Sequence, residues 1–337
     1  MRQPDFENIL KVCRKEQPSR PTLFEFFLND SLISTVTSMK IPSFSDIKER
    51  IKFHIKGFEK LGYDYVTVLM IRGNDDFLPK KEKHLEKTIS LNEYPTITNR
   101  KDFEEYSWKA EWDTQSVKES AKNLPPGMKF IVYSPNGLLE NVIGLTGFDN
   151  LCYMLADDPS LVQDLFDRVG TILYNYYKEA CSIPQVGACI VNDDWGFKSQ
   201  TMISPSSMRQ YIFPWYKKIV NLIHQTNRPV ILHSCGNLSS VMEDIFDTGF
   251  DAKHSYEDTI LPVEDAYEKY HDRIAILGGI DVDFLIRSDN ENIINRCKKM
   301  FERVKERGGY ALGSGNSIPD YVPHDKYFAM INSWLNL

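Results

Sequence analysis

The sequence predicts an α/β chain folded as one (β/α)8 TIM barrel, with an N-terminal extension and an insertion after the second strand. Three observations predict it. Eight short apolar runs alternate with longer helical patterns along most of the 337 residues. The runs are continuously apolar, as expected of parallel strands buried on both faces. No Gly-rich phosphate loop follows an early strand, which argues against a doubly wound open sheet.

The first strand candidate is 21–27 (PTLFEFF), with Glu25 set among aromatic residues. A helix follows over 43–62, where Ile47, Ile51, His54, Ile55, Phe58 and Leu61 recur at helical spacing and Gly62 ends it. The run 63–70 is the second strand. The polar stretch 72–126 reads as an insertion, and its Trp108 and Trp112 suit a covered pocket, an interface or a small local core. After a third strand at 129–133, a helical region covers 138–181. It breaks at Asp157-Asp158-Pro159-Ser160, where an acidic cap and a proline restart the helix. The fourth strand is 188–194. Ser204-Pro205 opens a helix that carries Met208, Tyr211, Ile212, Trp215, Ile219 and Ile223 on one side. Strands at 229–235, 250–255, 274–278 and 309–313 follow, separated by helical patterns at 238–247, 263–270 and 291–306. A last helix is expected at 325–335.

Composition bounds the function. Hydrophobic residues make up 42% and charged residues 26%, close to a globular average, which excludes disorder and coiled coil. With 40 Lys+Arg against 47 Asp+Glu and no basic block, nucleic acid is not expected as a partner. Cys13, Cys152, Cys181, Cys189, Cys235 and Cys297 are scattered, as free thiols in a reducing cytosol would be. The N-terminus lacks the apolar core of a signal peptide, and no run approaches the ~20 apolar residues of a membrane span. A soluble cytoplasmic protein is expected, and a homodimer is compatible with the sequence.

Chemistry in such a barrel sits at the C-terminal ends of the strands. His233 and Cys235 stand at i and i+2, so imidazole and thiol point to the same side. They are candidate zinc ligands, although a buried cysteine beside a hydrogen-bonded histidine explains so short a motif at least as well. Of Asp193 and Asp194, one should face the lumen as an acid, base or metal ligand and the other should face the helices. Helix capping or a surface pair is the plainer reading. Trp195 suits a pocket wall or core packing, and Gly278, Gly279, Gly313 and Gly315 suit backbone close to a ligand or ordinary loops. His54, His84, His224, His271 and His324 have no partner pattern.

Taken in order, several segments resemble the uroporphyrinogen decarboxylase superfamily. These are Gly144-Leu-Thr-Gly-Phe148 with the Asp158-Pro159 restart, Asp193-Asp194-Trp195-Gly196, His233-Ser-Cys-Gly-Asn237, Gly278-Gly279-Ile280-Asp281, and Gly315-Asn316-Ser317-Ile318 through Val322-Pro323. The resemblance implies a single barrel over 1–337. Its decarboxylase branch implies an Arg-Gln-Ala-Gly-Arg stretch ending the first strand, whereas this strand ends Phe26-Phe27-Leu28-Asn29-Asp30. A polycarboxylate needs fork-like cations, so that branch is disfavoured. The cobalamin-dependent methyltransferase branch implies zinc held by His-x-Cys and a distant cysteine. His233 and Cys235 match the first two ligands, and the third position falls on Asn316, a poor zinc ligand.

Asp194 or Glu25 could substitute for that ligand if they face the lumen. The branch thus implies zinc-assisted methyl transfer between a small substrate and a corrinoid carried by a separate protein. Asp194 would be ligand or proton donor, Glu25 and His254 would orient substrate, and Gly278, Gly279 and Trp195 would lie at the cofactor. The alternatives are uroporphyrinogen decarboxylation and a non-catalytic corrinoid or tetrapyrrole binder.

Overall fold

The computed structural model describes residues 2–70, 91–92 and 95–336. Among them seven strands form one sheet in chain order: β1 (Tyr65–Leu69), β2 (Lys129–Tyr133), β3 (Val186–Asn192), β4 (Val230–His233), β5 (Ala252–His254), β6 (Ala275–Leu277) and β7 (Tyr310–Ala311). Every neighbouring pair is parallel. Helices make the crossovers, so the curled sheet has the architecture of a TIM-like barrel. The strands are buried because their apolar side chains are covered on both faces. Ile131, Ile190, Ile231, Ile276 and Ala311 have no solvent exposure.

The first expected strand forms no ladder of its own. Segment 21–28 runs beside β7 through single parallel bridges, Leu23 to Leu312 and Leu28 to Ile318. The Phe24 N–H donates to the Leu312 carbonyl (2.7 Å) and the Leu312 N–H to that of Thr22 (2.9 Å). On its other side the segment is tied to β1 by a side chain: the Tyr65 hydroxyl donates to the Glu25 carbonyl at 2.7 Å. The segment departs from a regular strand because a tyrosine takes the place of backbone partners on that side.

The other departures have local causes. The long helical region is three helices, Leu138–Thr146, Phe148–Asp157 and Pro159–Cys181. Gly147, at φ +76°, adds a break to the one at Asp158, whose carboxylate accepts from the Leu161 N–H (2.9 Å). The helix opened by Ser204 ends at Tyr211 and restarts as Phe213–His224, with Pro214 in its first turn, where its missing N–H costs nothing. Helices Glu7–Cys13, Asp30–Thr37 and Val282–Arg287 were not expected. The first caps the N-terminal end of the sheet, with the Phe6 N–H on the Gly127 carbonyl just ahead of β2 (2.9 Å).

Of the expected insertion, 72–90 and 93–94, with His84, lie outside the described residues. In the described part Trp108 packs on Tyr106 (4.7 Å) and Phe103 (5.3 Å), and Trp112 packs edge-on against Tyr176 of the helix Pro159–Cys181 (4.8 Å). Both tryptophans pack as partly buried residues against the main hydrophobic core.

Candidate metal centre

The register of three parallel strands assembles the site. Asn192 of β3 lies beside His233 of β4, and His233 beside His254 of β5. Residues in register on adjacent parallel strands point to the same side, and so do residues two apart. Asn192, Asp194, His233, Cys235 and His254 therefore share one side at the C-terminal ends, and Asp193 takes the other.

Asp194, His233 and Cys235 converge: one ligand atom from each lies within 4.8 Å of the others, the one such cluster with metal-binding potential among the described residues. His233 Nε2 is 4.0 Å from Cys235 Sγ, and Asp194 Oδ1 accepts the Cys235 backbone N–H at 2.9 Å. His233 is buried, while Asp194 and Cys235 are partly open to the mouth.

The electrostatics suit a cation. Burial, reinforced by the Asp194 carboxylate, pushes the Cys235 thiol far above its ordinary value. Burial, with His254 and Lys253 nearby, keeps the His233 imidazole neutral. A thiol packed against a carboxylate and a neutral imidazole is the set that a divalent ion would ionise and bridge. Zinc–nitrogen and zinc–sulfur bonds of about 2.0 and 2.3 Å put tetrahedral N and S ligands about 3.5 Å apart. The observed 4.0 Å calls for a shift of about half an ångström on binding. The residues present fit a zinc ion with an open fourth position.

The remaining predicted residues fall in three places. Asn316 is exposed at the mouth, and its Nδ2–H donates to Cys235 Sγ at 3.3 Å. It touches the cluster through an amide N–H, which cannot ligate. Glu25 and His254, expected to orient substrate, have no solvent exposure and pack behind the cluster. Glu25 accepts from the Ser314 N–H (2.6 Å) and hydroxyl (2.7 Å). His254 Nδ1 is 2.7 Å from His233 Nδ1, and His254 Nε2 is 3.1 Å from the Ser314 carbonyl. Burial drives Glu25 up to about 8 and His254 down to about 3.

Gly278, Gly279 and Trp195 are buried. Gly278 (φ +65°) and Gly279 (φ +99°) adopt left-handed backbone, and a Cβ on Gly278 would lie 2.8 Å from His254 Nε2. Trp195 is fully buried, its Nε1–H donates to Asp193 Oδ2 (2.7 Å), and its ring packs on Phe213 and Tyr216. Asp193 is the outward carboxylate of the pair. It also accepts from the Leu139 and Glu140 N–H groups (both 2.9 Å) and the Tyr216 hydroxyl (2.7 Å), capping the helix Leu138–Thr146.

Two features escaped the sequence reading. Lys253 is buried on β5, donating to the Ser255 carbonyl (2.7 Å) with its ammonium over the Tyr256 ring (4.3 Å). A lone lysine inside the run Phe250-Asp-Ala-Lys-His254 was the available signal. Phe26 packs its ring 4.5 Å from His233 and 5.0 Å from Tyr133, forming an aromatic wall beside the cluster. Nothing in the spacing of PTLFEFF sets Phe26 apart from its neighbours.

A family profile described as uroporphyrinogen decarboxylase (URO-D) matches residues 79–335. The chain belongs to the URO-D family. Relatives within it include a uroporphyrinogen decarboxylase of Citrifermentans bemidjiense, 26% identical over 191 residues, covering 56% of this chain and 53% of the relative. A methylated-thiol–coenzyme M methyltransferase of Methanosarcina mazei is 23% identical over 176 residues, covering 52% and 46%. The matches thus span about half the length of these curated relatives. Among solved structures, a methyltransferase from Methanosarcina mazei superimposes with a TM-score of 0.75 at 17% identity, covering 97% of this chain and 96% of that one, a likeness of fold. Decarboxylase and methyltransferase relatives therefore both border this member of the URO-D family.

Proposed function

We propose that this URO-D family member is a methyltransferase of a corrinoid-dependent system, moving a methyl group between a small substrate and a corrinoid carried by a separate protein. One observation carries the reading: Asp194, His233 and Cys235 converge at the mouth within 4.8 Å, although Asn316 stands where the family resemblance puts a third ligand, a second thiolate. Similarity to a methyltransferase supports it. In this reading His233, Cys235 and Asp194 hold zinc, with Asp194 supplying the third ligand. Zinc there would supply Lewis acidity toward an ether, amine or thiol heteroatom.

The chain's own residues set the surroundings. The Asn316 N–H on Cys235 Sγ withdraws charge from the sulfur and fixes its direction. Phe26 and Tyr133 give the cluster an apolar flank suited to a methyl-bearing group. The first strand ends in Phe26-Phe27-Leu28-Asn29-Asp30 without an arginine to hold a polycarboxylate, which weighs against uroporphyrinogen as substrate. Segment 21–28 acts as the eighth strand of a single-domain barrel, and the protein works in the cytoplasm; no described helix is long and apolar enough to cross a membrane.

The test is transfer of label from methylated thiols, amines and aryl ethers to free cob(I)alamin by the zinc-loaded protein. Alkylation of cobalt that depends on His233 and Cys235 is expected. Conversion of uroporphyrinogen to less carboxylated products, with no methyl transfer, would contradict the proposal.

A further inference from the structure

A histidine binds a metal only through a ring nitrogen without a proton, so the tautomer of His233 decides whether the cluster works. Each buried polar atom around it has a determined role. The Ser314 oxygen is a carbonyl and only accepts, so the His254 Nε2 facing it at 3.1 Å carries hydrogen. Neutral His254 then has a bare Nδ1. That nitrogen lies 2.7 Å from His233 Nδ1, which must supply the proton between the rings. His233 is left with an unprotonated Nε2, the nitrogen that faces Cys235 Sγ at 4.0 Å. The opposite tautomers would set a bare nitrogen against a carbonyl oxygen in a fully buried place, where unpaired acceptors are costly.

The rest of the fold holds this line in position. The Ser314 carbonyl also accepts from the Gly279 N–H (2.8 Å), and its residue is fixed from behind by two hydrogen bonds to Glu25. Glycine at 278 leaves room for the His254 ring, which sits edge-on against Phe24 at 5.2 Å. The register of β4 and β5 sets the two imidazoles side by side.

We infer that His254 is a positioning residue that, backed by Ser314 and Glu25, holds His233 in the Nδ1–H tautomer with its Nε2 lone pair aimed between Cys235 and Asp194. The role rests on the metal site proposed above. His254 never touches metal or substrate, and it acts by removing the tautomeric and rotational freedom of a ligand.

The experiment has two arms. In the first, metal-free wild-type protein with 15N-labelled histidine is read by long-range nitrogen–proton correlation. His233 is expected as the Nδ1–H form, and an Nε2–H form would overturn the inference whatever the metal does. In the second, zinc affinity is measured by chelator competition in wild type, His254→Leu and His254→Asn, with near-ultraviolet circular dichroism to compare packing. The leucine, which lacks an acceptor, should weaken zinc ten- to a hundredfold. The asparagine, whose Oδ1 can stand in for Nδ1, should recover most of that loss. Wild-type affinity in a folded His254→Leu would overturn the inference and leave the metal site standing. Failure of the wild type itself to bind zinc would overturn the metal site, while the first arm still decides the tautomer.

Discussion

At the scale of single residues, the cluster derives its character from one substitution. Asn316 approaches Cys235 Sγ to 3.3 Å as a donor, where a second thiolate would approach as a ligand. Asn316→Cys should therefore add a soft ligand and raise cadmium affinity more than zinc affinity, each by about tenfold or more, read by competition with a chromophoric chelator. Unchanged affinity would mean that residue 316 does not reach the ion. Glu25 makes a separate prediction through its burial. Its folded value of about 8 lies above the 4.5 of an unperturbed glutamic acid, so folding takes up a proton between those values. Stability should be highest below that window and fall as pH rises through it. Glu25→Gln should flatten the fall, measured as urea midpoints between pH 5 and 8. His233 and Cys235 were legible as a pair because their spacing puts them on one face. The chain His233–His254–Ser314–Glu25 was not, because it joins residues distant in sequence through a register that spacing cannot give.

At the scale of elements, β3 shows how strand alternation divides two adjacent carboxylates between two tasks. Asp194 faces the cluster, and Asp193 fastens the strand to the helices Leu138–Thr146 and Phe213–His224 through three hydrogen bonds and accepts a fourth from the Trp195 indole. Asp193→Ala would leave buried donors on Trp195, Tyr216 and two backbone amides, at a cost of about 3–5 kcal/mol in urea unfolding. A loss under ~1 kcal/mol would show that the network carries little weight. The sequence made the alternation of the pair legible but not which aspartate faced inward, since that depends on where β3 ends. Helix starts were readable from Asp158 and Ser204, which act through local hydrogen bonds. The breaks at Gly147 and Ile212 were missed because the apolar pattern continues across both.

At the scale of the whole molecule, the cluster draws on β3 and β4 and is backed by β5, the turn after β7 and the segment around Glu25. Parts so distant in sequence can hold one site only if they fold together. Urea unfolding followed by tryptophan fluorescence and by far-ultraviolet circular dichroism should give coincident single transitions, and separated midpoints would argue for independent units. The barrel plan was legible because buried parallel strands leave continuous apolar runs, and seven of them became ladders. Segment 21–27 was the exception, since its edge toward β1 is held by the Tyr65 side chain, which no local pattern announces. The central claim is that this URO-D fold carries a zinc site built from Asp194, His233 and Cys235. Metal analysis of purified, zinc-reconstituted protein beside His233→Ala tests it most directly. The account predicts one zinc per chain in the wild type and its loss in a folded His233→Ala, whereas a metal-free wild type or a variant that retains its zinc would contradict it.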